Sequence, residues 1–123
     1  MSDIVYSRHG EIDILIIEGE WDDSILVKWA SMITSLRQQG CQRLLILGNG
    51  LDRLPADRIN ELSLPIRVYR RMGGIIAFAE FHENALQIIR ETHFYRYLNV
   101  FRTKEEALHF LSPSSDRKEN NIS

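Results

Sequence analysis

Cysteine is nearly absent from this chain. Cys41 is the single one in 123 residues, so no intramolecular disulfide can form and the staples of a secreted scaffold are missing. Long apolar runs are absent too. None approaches the roughly 18 residues of a membrane span, and the opening Met1-Ser2-Asp3-Ile4-Val5-Tyr6-Ser7-Arg8 is polar, so a cytoplasmic location without membrane insertion is expected. Neither charge dominates. Fifteen basic residues against seventeen acidic give a net charge of −2 and a pI near 6.1, which argues against a dedicated nucleic-acid binder. With 44% apolar and 26% charged residues, the 14.3 kDa chain has the balance of one globular domain. A domain of that size buries about two-thirds of the surface its unfolded chain exposes.

Two strands are expected at residues 3–8 and 11–18, turned at His9-Gly10. In the second, Ile12, Ile14 and Ile16 alternate with Asp13 and Leu15, which predicts a half-exposed first half and a buried Leu15-Ile16-Ile17. After Gly19-Glu20-Trp21-Asp22, either Ser24 or Asp23 is the expected cap of a helix that turns Ile25, Trp29, Met32, Ile33 and Leu36 inward and stops at Gly40. Leu44-Leu45-Ile46-Leu47 is a continuous apolar run, the pattern of a central strand covered on both faces, and it is expected to end at Gly48-Asn49-Gly50. Pro55 opens a second helix carrying Ile59, Leu62, Ile66, Tyr69 and Met72, kinked at Pro65. Ile75 to Ala79 forms another buried strand. A helix from Glu83 to Thr92 shows Leu86 and Ile89 to the core, and Val100-Phe101 is a short last strand. Thr103 and Glu106 have capping-box spacing ahead of Ala107, Leu108 and Leu111. Residues 112–123 are polar and without period, so a disordered tail is expected after a domain at 1–111. The order β-β-α-β-α-β-α-β-α demands crossovers, hence an α/β fold with a mixed, mostly parallel sheet.

Catalytic and metal-binding patterns are lacking. Gly48-Asn49-Gly50 starts like a dinucleotide fingerprint, but Arg53 stands where the third glycine belongs. His82-Glu83 opens like a zinc-protease helix, yet Leu86 occupies the partner position, and His9, His82, His93 and His109 share no ligand spacing. No serine sits in a Gly-x-Ser-x-Gly elbow, and Cys41 reads as a small apolar filler. Arg67, Arg70 and Arg71 form a basic cluster without interleaved aromatics, the pattern of a solvated helix face or a protein interface. No enzyme activity, cofactor or metal is expected.

In this order the segments resemble the STAS domain, the fold of bacterial anti-sigma factor antagonists and of sulfate-transporter tails. Gly19-Glu20-Trp21-Asp22 is similar to the Gly-Glu-Leu-Asp that closes that family's hairpin. Leu47-Gly48-Asn49-Gly50-Leu51-Asp52-Arg53-Leu54 occupies the strand-to-loop stretch before its second helix. Gly73-Gly74 resembles its glycine turn, and Val100-Phe101-Arg102-Thr103-Lys104-Glu105-Glu106-Ala107-Leu108 its final strand and helix. The resemblance covers about residues 3–111 and implies a non-enzymatic protein-interaction domain in partner-switching control of transcription, its partner an anti-sigma factor or serine kinase.

It also implies a site. Switching antagonists carry Asp-Ser-Ser-Gly at the start of the second helix, with the first serine phosphorylated. Counting back from Gly73-Gly74, this chain has Pro55-Ala56-Asp57-Arg58 there, so the acceptor position is Ala56, which has no hydroxyl. The expected partner surface is Asp52, Arg53, Ala56, Asp57 and Arg58. Asp57 reads first as a carboxylate placed to suit the helix dipole and second as a partial mimic of phosphate. The alternatives are an accessory STAS subunit of a transport or sensory assembly, and a small-ligand or lipid-binding STAS domain.

Overall fold

The computed structural model describes residues 2–91 and 98–112. Gly10 and Glu11 turn the chain between β1 (Asp3–His9) and β2 (Ile12–Glu20), Gly10 at a φ of +61° that glycine adopts without steric penalty. Then follow α1 (Asp23–Gln38), β3 (Arg43–Arg53), a 3-10 turn (Ala56–Arg58), α2 (Ile59–Arg71), β4 (Ile75–Ala79), α3 (Glu83–Arg90), β5 (Asn99–Phe101) and α4 (Lys104–Leu111). The five strands lie in the order β1-β2-β3-β4-β5. Only the first pair is antiparallel. The other three are parallel, and α1, α2 and α3 make the crossovers that parallel pairing requires. The expected α/β architecture is present.

Leu44-Leu45-Ile46-Leu47 lies in the middle strand, as its unbroken apolarity implies. Leu44 and Ile46 join the larger core with residues of α1, α2 and α3, whereas Leu45 and Leu47 join a smaller core closed by Ala107 and Leu111 of α4. Trp29 is fully buried in the larger core, and its indole N–H donates to the Leu62 carbonyl at 3.1 Å. That bond gives the buried ring's one polar group the partner it needs. Trp21 packs edge-on against it, ring centroids 5.6 Å apart.

Several local expectations are corrected. Asp22, not Ser24 or Asp23, caps α1, accepting from the Ile25 N–H at 3.0 Å and from the Ser24 and Ser2 hydroxyls. Those bonds hold its carboxyl at about 2, below the usual carboxylate range. The first half of β2 is buried rather than half-exposed, and Ile16 in the second half is only half-buried. Even Asp13 is 5% exposed, because Tyr6 on the paired strand covers it and donates its hydroxyl to it. Met32 and Leu108 are half-buried, and in α3 it is Ala85, not Leu86, that joins Ile89 in the core. That helix ends at Arg90. Thr92 and His93 lie outside the described residues, as does the expected tail from Pro113 onward. Cys41 is half-buried and bonded rather than merely filling space, its sulfur 3.3 Å from the Tyr69 hydroxyl.

Two corrections fall next to the expected site. β3 does not stop at Gly48-Asn49-Gly50 but continues to Arg53. The second helix does not begin at Pro55: a separate 3-10 turn intervenes, and α2 then runs from Ile59 through Pro65 to Arg71.

Candidate functional site

The late part of β3 is held open as a strand by its neighbours. β2 continues beside it through Gly19↔Leu51 and Glu20↔Arg53, with register shifts after Ile16 and Gly19, and the Trp21 N–H reaches the Arg53 carbonyl at 3.3 Å. On the other side, Gly48 lies against Phe81. A Cβ there would stand 2.3 Å from that ring, so any other residue must displace it. Phe81 in turn stacks on the buried Phe78, centroids 5.4 Å apart. The His82 ring nitrogen Nε2 lies 2.9 Å from the Asn49 carbonyl. Glu80, which begins this β4–α3 connection, has a φ of +62°, unusual for a residue with a side chain. Its carboxylate accepts the Lys104 N–H at 3.0 Å at the start of α4, a bond that holds the turn in place.

Leu51 and Leu54 are buried, whereas Asp52 and Arg53 between them face solvent, as do Ala56 and Asp57 beyond. The alternation presents charge on an apolar footing. Between this segment and the start of α3 lies a hollow of about 560 Å3, lined by Leu51, Asp52, Arg53, Leu54, Pro55 and Ala56 on one wall. His82, Asn84, Ala85 and Ile88 line the other. That volume lies within the ~300–1,000 Å3 of ligand pockets, and it opens beyond the carboxyl ends of parallel strands, where α/β sheets commonly place binding sites.

Of the five residues expected at a partner surface, Asp52, Arg53 and Ala56 are brought together on this hollow, and Asp57 and Arg58 do not line it. Arg58 is turned away toward α1: its guanidinium meets the Glu61 carboxylate at 2.7 Å and that of Asp23 at 2.6 Å. Those two hydrogen bonds raise its already high pKa. Glu61 also accepts the Trp21 indole N–H at 3.1 Å, so the arginine ties the 3-10 turn to both flanking helices. Asp57 stands in the 3-10 turn, ahead of the first turn of α2, which carries Glu61 instead. The 3-10 turn runs directly into α2, so Asp57 still stands at the start of the helical segment, where the dipole favours a carboxylate.

His82, Asn84, Ala85 and Ile88 were not singled out as site residues from the sequence. Only His82 stood out there, and for a zinc pattern the structure does not build. Among the described residues no group of three or more His, Cys, Asp and Glu side chains gathers as a metal site, and no helix is long and apolar enough to cross a membrane.

No family model matches the sequence, and no curated protein is recognisably similar to it. Solved structures do match. An anti-sigma factor antagonist from Mycobacterium paratuberculosis superposes with a TM-score of 0.78 at 14% identity, covering 90% of this chain and 94% of that one. An anti-sigma-factor antagonist (STAS) domain protein from Planctomyces limnophilus gives 0.73 at 19% identity, with 91% and 99% covered. The Bacillus cell fate determinant SpoIIAA in its phosphorylated form gives 0.70 at 12% identity, with 89% and 100% covered. With the hairpin, the parallel sheet and the crossover helices in matching order, this chain has the STAS fold, that of the anti-sigma factor antagonists.

Proposed function

We propose that residues 1–111 form a non-enzymatic interaction domain that binds a protein partner through the late β3 segment and the hollow beside it, in the manner of an anti-sigma factor antagonist. One observation carries the reading: Asp52 and Arg53 project to solvent from a segment anchored by the buried Leu51 and Leu54. A rigid charged rim around an apolar recess is the usual anatomy of a protein-binding surface. Arg58, occupied by Asp23 and Glu61, is assigned to holding the platform rather than to touching the partner.

The domain is further proposed to lack a phosphorylation switch at the start of α2. Ala56 is exposed but has no hydroxyl, and Ser63, the only serine or threonine between Leu51 and Arg71, is buried with its hydroxyl donating to the Asn60 carbonyl at 3.2 Å. The partner then binds constitutively or is governed elsewhere.

The test is affinity purification of the tagged chain with identification of the captured protein, followed by Arg53→Glu and Asp57→Lys. Each should leave the melting curve almost unchanged, and Arg53→Glu should weaken binding by roughly thirty-fold or more, as loss of a desolvated charge pair does. Unchanged affinity in both variants removes the reading. Incubation with a serine kinase of this class and ATP, followed by intact mass, should show no phosphate between Leu51 and Arg71. Stoichiometric phosphate on Ser63 overturns that part.

The size of the hollow favours one second reading, a small ligand seated on Leu51, Leu54, Ala85 and Ile88. Native mass spectrometry of the purified protein separates it, since a bound small molecule would add discrete mass that Arg53→Glu or a bulky replacement of Ala85 removes.

A further inference from the structure

Away from the hollow, α2 carries a second apolar stripe. Leu64, Val68 and Met72, spaced four residues apart, are 62%, 41% and 67% exposed, and Val27 on α1 is 71% exposed. Residues four apart stand above one another on a helix, so these three form one line rather than scattered exceptions. Beneath the line, α1 and α2 leave a groove of about 140 Å3 whose floor includes Ile33 and Tyr69. This is an amphipathic helix with apolar residues on both of its faces, while the core uses only Ile59, Leu62, Ile66 and Tyr69.

The charge around the groove is one-sided. Arg37 lines the groove, and Arg67 and Arg71, three residues on from Leu64 and Val68, flank the apolar line on its outer side toward the C-terminal end of α2; none of the three has an ion pair among the described residues. The carboxylates of the same two helices, Asp23 and Glu61, are at the opposite end and are both engaged by Arg58.

We propose that the α1–α2 groove is a second docking surface, distinct from the late β3 segment, and that it receives an amphipathic helix of another protein bearing carboxylates beside its apolar stripe. Apolar side chains at i, i+4 and i+7 of such a helix match the line of Leu64 and Val68, the usual helix-in-groove mode, and its carboxylates meet the three arginines. A second copy of this chain would bring no free carboxylate from this face. A membrane surface is disfavoured because the patch is concave and its aromatic neighbours, Trp29 and Tyr69, are buried, whereas interfacial helices present exposed aromatics and lysines.

The experiment uses the full chain and a synthetic helical peptide with leucines at i, i+4 and i+7 flanked by glutamates, read by fluorescence anisotropy. The acidic peptide should bind, and a lysine-for-glutamate version should bind at least about tenfold more weakly. Leu64→Glu should abolish binding, and Arg67→Glu with Arg71→Glu should weaken it and blunt the loss of binding with added salt, all with melting curves close to the parent's. Arg53→Glu should leave it unchanged, which separates this surface from the one proposed above. Should Leu64→Glu fail to fold, Val68→Ala and the arginine pair decide the matter alone. Equal binding of the two peptides overturns the proposal. So does a concentration-dependent dimer that Leu64→Glu dissolves, or sedimentation with vesicles of phosphatidylcholine and phosphatidylglycerol.

Discussion

The two halves of β3 obey different rules. From Leu44 to Leu47 every side chain is buried, alternately against three helices and against α4, and the local pattern alone demands a strand there. From Gly48 to Arg53 the composition reads as a turn, and the strand exists because β2 pairs with it and Trp21 bonds its last carbonyl. The first half holds the fold, and the second holds Asp52 and Arg53 out to solvent. A segment whose conformation is imposed by neighbours can vary its own side chains without losing its shape, which suits a binding surface.

The contrast can be broken at either half. Leu45→Ala empties a fully buried position between β2 and β4 under α4, and should cost about 2–5 kcal/mol in chemical denaturation. A loss below about 1 kcal/mol would mean that the smaller core is not tightly packed there. Gly48→Ala should cost less, about 1–3 kcal/mol, because its new methyl must displace the Phe81 ring rather than leave a void. Its signature is local: the Phe78 and Phe81 ring resonances should move and the His82 contact with Asn49 should weaken, while the β1–β2 amides stay put. A neutral Gly48→Ala would show that Phe81 swings aside freely and that the late strand is not clamped from that direction.

Much of the architecture was legible because it rests on local signals. The hairpin turn at Gly10, the apolar runs of β3 and β4 and the Thr103–Glu106 capping box all appear where the spacing of residues puts them. The site was legible only in part. Asp52, Arg53 and Ala56 lie on one continuous segment, but the facing wall comes from His82 to Ile88, which the sheet brings near through β4 and which carries no local mark of that role. Likewise nothing in the order Asp57-Arg58-Ile59 tells that the guanidinium turns back to Asp23, thirty-five residues away in sequence. The extension of β3 was missed because glycine and asparagine mark turns in short range, and only the pairing partner overrides them.

The smallest expected effect lies at the entry to β3, at the far end from the hollow, and it appears only in alkali. Burial pushes the Cys41 thiol up to about 11, an effect that the hydrogen bond with the Tyr69 hydroxyl opposes only in part. Burial, with the Cys41 contact second, pushes the Tyr69 phenol upward as well. In an unfolded chain the thiol titrates near ~8.5 and the phenol near ~10. Both folded values are raised, so the contribution of the pair is fully present below the unfolded values and is lost as pH climbs through the folded ones. Stability measured by urea denaturation should therefore be flat with respect to these groups from pH 7 to about 8.5, then fall progressively toward about 11. Cys41→Ala should shallow that fall without abolishing it, because Tyr69 still titrates. The same burial predicts that a thiol reagent at pH 8 labels the native protein far more slowly than the urea-unfolded chain. Rapid labelling of the native protein, together with an unchanged alkaline slope in Cys41→Ala, would show that the entry to β3 opens as readily as its exposed exit.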